Sequence, residues 1–368
     1  MKLIFKIAAL SAIIFIVIFG CAFILRTNNN FYIANNHQAD NLGEKVLKET
    51  KEAGAGIEIK SETGRLKEDK EENKEVKMIA VGDIMLSRVV EQKMMEYSDY
   101  KYPFLKTAEI TSAADLVFGN LETAIIPGRI IKSGEMVFRT DPKAVEGLKF
   151  AGFNILSLAN NHIMNFGKAG LESTVKILDE NNILHIGAGI TEEDIYKPGI
   201  KNINGTKFAF FAFTYNFDQR KSFGEIYGVA DMEIEKMKEI IGKAKLENDI
   251  MIVSMHAGTE YAISPNKQQK EFARSAIDAG ADLVIGHHPH VVQTVEKYKN
   301  GYIIYSLGNF VFDQMWSDET RLGAMAEIIF KDKKVESVKF IPIKIYDYAQ
   351  PMILEGEEKE MILERLRF

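Results

Sequence analysis

Ala281-Asp282-Leu283-Val284-Ile285-Gly286-His287-His288-Pro289-His290 is the stretch on which the reading of this chain turns. Its apolar half predicts a buried strand, and three histidines follow at the carboxyl end of that strand. The chain has seven histidines, and four of them fall between residues 256 and 290. Imidazole binds borderline metals in its neutral form at physiological pH. Alternate residues of an extended segment point the same way, so His288 and His290 are expected to address one site. Pro289 stiffens the backbone between them and removes a competing donor. A histidine cluster on a surface turn is the other reading. The position of His256, also at the end of an apolar run, favours the metal.

Outward from this segment the pattern repeats. Lys77-Met78-Ile79-Ala80-Val81 ends at Gly82-Asp83, and Ala114-Asp115-Leu116-Val117-Phe118 ends at Gly119-Asn120, with Glu122 two residues on. Phe153 to Leu158 ends at Ala159-Asn160-Asn161-His162, and Asp249 to Met255 ends at His256. Helical spacing of apolar residues intervenes at Leu171 to Leu178 and Met232 to Ile241. This alternation predicts an α/β domain. Turn signals at Lys299-Asn300-Gly301 and around Asp332-Lys333 add antiparallel strands toward the end. In open α/β sheets ligands bind outside the carboxyl ends of strands, where five apolar runs here each deliver polar side chains. Together they offer carboxylates, amides and imidazoles, the donor set of a dinuclear hydrolytic centre.

Composition sets the remaining bounds. The chain has 368 residues, 46% of them hydrophobic, and a net charge of −6, which disfavours nonspecific binding of nucleic acid. There is a single cysteine, Cys21, so any metal must be held by nitrogen and oxygen. Lys2 and Lys6 precede an apolar run from Ile7 to Leu25, closed by Arg26. At ~1.5 Å per residue that run spans the hydrocarbon core of a bilayer, with the rest of the chain outside. Ile18-Phe19-Gly20-Cys21 also resembles a lipoprotein cleavage box. Residues 1–26 are therefore read as a membrane anchor or signal segment, and 27–76, rich in Asn, Lys and Glu, as a disordered charged tether. Residues 77–350 form the α/β domain and 351–368 a C-terminal tail helix.

Val81-Gly82-Asp83-Ile84-Met85-Leu86-Ser87-Arg88, Gly119-Asn120-Leu121-Glu122-Thr123, Asn160-Asn161-His162, His256 to Tyr261, His288 to Gln293 and Ser306-Leu307-Gly308-Asn309-Phe310 resemble the motifs of the capsule-synthesis CapA family, also called PgsA. The likeness runs from about Met78 to Ile345. It implies a calcineurin-like metallophosphoesterase fold, with two packed mixed sheets flanked by helices. It also implies a part in the synthesis, export or anchoring of a poly-γ-glutamate-type capsule polymer on the extracytoplasmic face of a bacterial membrane. Carried onto this sequence, Asp83 lies on a first metal, Glu122 bridges, Asn161, His256 and His288 bind a second, and His290 returns to the first. His162 stabilises charge or protonates the leaving group, while Asn120 and Glu260 orient ligands.

One position departs from the phosphoesterase pattern. Met85 stands two residues after Asp83, where that pattern has a histidine, and a thioether is a poor ligand in an oxygen-rich site. One or two divalent ions are therefore expected, with Mn, Zn, Fe and Mg all compatible, and Asn309 as a further donor. Three functional readings stay open. The first is a metal-dependent role on an anionic polymer. The second is hydrolysis of another phosphate-containing envelope substrate. The third is a non-catalytic scaffold that recruits other capsule synthase subunits. Trp316 is read as either a cleft wall or a loop anchor, Arg88 and Arg139 as anion ligands or surface ion pairs, and His37 and His185 as incidental.

Overall fold

The computed structural model describes residues 75–215 and 227–368. The anchor read at 1–26, His37 and nearly all of the tether lie outside the described residues. Among the described residues no helix is long and apolar enough to cross a membrane.

The strand and helix alternation folds into two mixed β-sheets. The first has eight strands. At its centre the Asp83 strand (Val76–Ile84) runs parallel to the Asn120 strand (Leu116–Leu121), followed in the same sense by Ile155–Ser157 and Leu184–Ile186. On its other side Leu322–Lys331, Lys334–Tyr346 and Gln350–Ile353 continue antiparallel. The short strand Asn309–Val311 pairs in parallel with the carboxyl end of the Asp83 strand. The second sheet has six strands, in the order Val295–Tyr298, Gly301–Ile304, the His287 strand (Leu283–His287), the His256 strand (Ile250–His256), Thr206–Thr214 and Gly199–Ile203. Its inner four strands are parallel and both edge strands antiparallel.

The sheets pack face to face. Met78, Ala80 and Phe118 of the first meet Phe208, Phe210, Ile252 and Ile285 of the second in one buried layer. The intervening residues point outward, Ile79 and Val81 with Val90, Leu171 and Leu178 from helices Arg88–Glu96 and Gly167–Glu180. Met251, Val253 and Val284 pack with Met237, Ile241 and Phe272 from helices Ile234–Ala244 and Lys267–Ala279. The layers therefore run helix, sheet, sheet, helix. A parallel strand buried on both faces must be apolar at successive positions, which is why these runs lack polar alternation.

Local chemistry delimits the elements. Asn266 and Gln269 form a reciprocal capping box at the start of Lys267–Ala279, and Gly280 ends that helix in the left-handed region at φ 113°. Asp332 and Lys333, both left-handed, make the turn between Leu322–Lys331 and Lys334–Tyr346. Beyond Gln350–Ile353, helix Glu357–Arg365 and the residue after it place Ile362 and Leu366 in the core between the sheets.

Candidate metal centre

Parallel pairing aligns the carboxyl ends of the site strands. Asp83 is opposite Asn120, Asn120 opposite Ser157, and His256 opposite His287. The two sheets bring these ends together. His256 Nε2 lies 2.8 Å from Glu122 Oε1, and His287 Nδ1 lies 3.4 Å from Asp83 Oδ1. Asn120 donates from Nδ2 to Asp83 Oδ1 at 2.8 Å and to Glu122 Oε1 at 3.0 Å. The backbone N–H of His288 donates to Asp83 Oδ2 at 3.2 Å. His290 Nδ1 stands 3.3 Å from Asp83 Oδ2 and 3.0 Å from Asn309 Oδ1. Asp83, Asn120, Glu122 and His287 have no exposed surface.

The environment divides the charge between the two carboxylates. Burial disfavours ionisation of Asp83, yet the imidazoles of His287 and His290 beside it hold it well below the usual carboxylate range. Burial and the neighbouring Asp83 carboxylate push Glu122 well above its usual value. Burial and then His288 push His256 down, and burial and then His290 lower His288. Burial thus favours the neutral form of His256 and His288, the form in which imidazole binds metal. Burial also holds His162 at about 4, so it too is neutral at physiological pH.

The residues brought together differ in part from the expected set. Asp83, Glu122, His256, His288 and His290 converge, with Asn120 linking both carboxylates. Asn161 is exposed, and its neighbour Asn160 is the amide that enters the network, donating to Asn120 Oδ1 at 3.1 Å and Leu121 O at 2.8 Å. The carbonyl oxygen of Asn160 Oδ1 side chain also receives the N–H groups of His162 and Ile163. His288 and His290 do not owe their proximity to strand alternation. The His287 strand ends before them, and both residues are left-handed, at φ 95° and 58°. A tight turn through Pro289 brings their rings to 6.0 Å between centroids.

His287 was not among the expected ligands. It is the last residue of its strand, as His256 is of the neighbouring one, and that shared position is the signal in the sequence that marks it. Met85 is fully buried, and its sulfur accepts the N–H of Ser87 at 3.1 Å.

Beside the cluster lies a cavity of about 260 Å³ lined by Arg88, Phe138, His162, Glu260, His290 and Phe312, with Tyr261 and Trp316 also on its wall. The Phe138 ring is 4.0 Å from that of His162, and Phe312 is 4.9 Å from His290. Trp316, 64% exposed, meets Tyr261 edge-on at 4.8 Å and is a cleft residue. The two arginines are not in surface pairs. Arg88 is buried against Asp313, with its guanidinium over Phe138, and Arg139 is buried against Glu91 at 3.0 Å. His185, on Leu184–Ile186, pairs with Asp179 at 3.2 Å, away from the cluster.

The residues fit a divalent cation. Glu122 Oε2, both ring nitrogens of His287 and His288 Nδ1 are buried without a hydrogen-bond partner. Each such atom costs about 1–3 kcal/mol unless something satisfies it, and a metal would satisfy the carboxylate oxygen and one lone pair on each of the two imidazoles. Ligand atoms of Asp83, Glu122 and His290 lie within 4.8 Å of one another, as do those of Glu260, His288 and His290. Mixed carboxylate and imidazole donors suit Mn, Fe or Zn.

Residues 77–314 match the family model described as bacterial capsule synthesis protein PGA_cap. The chain is 31% identical over 309 residues to the capsule biosynthesis protein CapA of Bacillus anthracis, covering 80% of this chain and 74% of that protein. It is 34% identical over 292 residues to the PGA biosynthesis protein CapA of Bacillus subtilis, covering 77% and 76%. Among solved structures, a putative 5′-nucleotidase from Staphylococcus aureus aligns with 79% of this chain and 58% of that chain, at 14% identity and a TM-score of 0.47. On the length of the family match and the identity to both CapA proteins, this chain belongs to the PGA_cap family of bacterial capsule synthesis proteins.

Proposed function

We propose that this protein is a metal-dependent hydrolase of the cell envelope that serves the synthesis, export or anchoring of a poly-γ-glutamate-type capsule polymer. The observation that carries the chemistry is the set of buried, unpartnered donor atoms on Glu122, His287 and His288 beside Asp83. The capsule role is supported by the likeness to the capsule biosynthesis protein CapA of Bacillus anthracis, and the polymer class by that to the PGA biosynthesis protein CapA of Bacillus subtilis. The helix, sheet, sheet, helix layering, with the cluster at strand carboxyl ends, supports a calcineurin-like metallophosphoesterase architecture. The apolar run Ile7–Leu25 supports tethering on the extracytoplasmic face, where further capsule synthase subunits are the partners expected.

Asp83, Glu122, His256, His287, His288 and His290 are the residues that would hold the ions. A bound divalent ion lowers the pKa of water and polarises the bond to be cut. His162 does the proton work at the cavity wall. Its Nδ1 faces Asn165 Oδ1 at 3.1 Å and carries the ring proton, which leaves Nε2 as the acceptor. Phe138 and Phe312 exclude water from the same wall, and Asp313 fixes the Arg88 guanidinium there.

The test is turnover by the full-length, Mn-loaded protein, with poly-γ-glutamate and with an aryl phosphate offered separately. Cleavage of one of them, reduced at least ~100-fold in His256→Ala, is the expected result. No turnover of either by metal-loaded protein would sink the hydrolytic reading and leave a scaffold.

A further inference from the structure

Glu260 is placed where a ligand belongs. We propose that Glu260 is itself a metal ligand, and that with His288 and His290 it forms a second ion position beside that of Asp83 and Glu122. This rests on the metal-centre reading above and says which side chains divide between two ions.

His290 belongs to both groups of close ligand atoms. An imidazole offers one lone pair when neutral, so its proton decides which ion it serves. His290 Nδ1 sits between two oxygen acceptors, Asn309 Oδ1 at 3.0 Å and Asp83 Oδ2 at 3.3 Å. The nitrogen facing acceptors carries the hydrogen, and Nε2 is left to bind. His290 therefore donates a hydrogen bond toward Asp83 and gives its lone pair elsewhere. A carboxylate-held histidine of this kind is a stronger and better oriented ligand. His290 and Glu260 both line the cavity, and His288 Nδ1 is buried without a partner. Two imidazoles and one carboxylate thereby lie close enough together to be offered to the same ion.

Backbone hydrogen bonds hold this arrangement. Ala257 N–H donates to His287 O at 3.1 Å and Tyr261 N–H to Pro289 O at 2.8 Å, so the Glu260 loop is stapled to the histidine turn on both sides. Gln293 adds a bond to Ala262 O at 2.7 Å. Tyr261, His288 and His290 all keep left-handed backbone angles within this stapled unit. The burial of Met85, with its sulfur on Ser87 N–H, removes the side chain two residues after Asp83 as a donor, so further donors must come from another loop.

Equilibrium dialysis of the full-length protein with Mn²⁺, with electron paramagnetic resonance on the same samples, tests the assignment. Wild type should hold about two ions per chain with an exchange-coupled spectrum. Glu260→Gln, which preserves shape at an exposed position, should hold about one, with the six-line signal of an isolated ion. Glu260→Asp should recover part of the second ion. Unchanged stoichiometry and coupling in Glu260→Gln would overturn this inference while leaving the metal centre intact. Failure of wild type to bind any Mn²⁺ would instead overturn the reading on which it rests.

Discussion

Glu91 and Arg139 form an ion pair with almost no exposed surface, and the pair organises the loop between residues 126 and 139. Arg139 donates to Ile126 O at 3.2 Å and to Arg129 O at 2.7 Å, while Glu91 also accepts the N–H of Asp141 at 2.9 Å. Burial outweighs the guanidinium and raises the Glu91 carboxyl to about 7. A carboxyl whose folded pKa lies above its unfolded value gives stability that is complete below about pH 4.5 and lost as pH rises through about 7. The ceiling on that loss is roughly 3 kcal/mol. Melting temperatures from pH 5 to 8 should therefore show wild type losing its advantage over Glu91→Gln as pH rises. Parallel curves would contradict the assignment. Neither arginine was legible as buried, because nothing in the local sequence separates a surface ion pair from one whose acid lies 48 residues away (Arg139) or 225 (Arg88). His287 was obscured for a similar reason. Three histidines in four positions look alike until strand pairing sets His287 opposite His256.

At the scale of elements, the two strands that carry Asp83 and His287 at their carboxyl ends share a device. Each has a glycine just before the site residue, at a point where another backbone passes too close for any side chain. A Cβ on Gly82 would lie 1.9 Å from Gly308 O, and one on Gly286 would lie 2.0 Å from Tyr305 O. Gly286→Ala must push Gly301–Ile304 and its continuation away from the His287 strand, at a cost of about 1–3 kcal/mol or more. The expected outcome is a lower denaturation midpoint and a weakened metal site in the same protein. A variant of wild-type stability with undiminished metal binding would show that the close approach is not needed. The strands themselves were legible because burial on both faces leaves continuous apolar runs. The turn that joins His288 to His290 was not, since left-handed histidines violate the local preference on which an extended reading depends.

For the whole molecule, the succession of strands and helices was legible, whereas strand order was not. Leu322–Lys331 returns from the far end of the chain to pair with Val76–Ile84, a neighbour that no local pattern announces. The layer that joins the sheets also supports the site. Phe118 stacks on Phe210 at 6.3 Å and tilts against His287 at 6.0 Å. Phe118→Ala should cost about 3–5 kcal/mol by denaturant unfolding, and a loss under about 1 kcal/mol would contradict its place at the centre of the core. An acidic chain of net charge −6 would gain attraction for an anionic polymer only through local positive charge, which bound cations would supply. On the proposed function, the metal centre is what would connect fold to function. Elemental analysis of the full-length protein after reconstitution with Mn or Zn, beside His288→Ala/His290→Ala, tests it most directly. About two equivalents in wild type and a marked loss in the variant are predicted; a wild-type protein that retains neither metal would contradict the account.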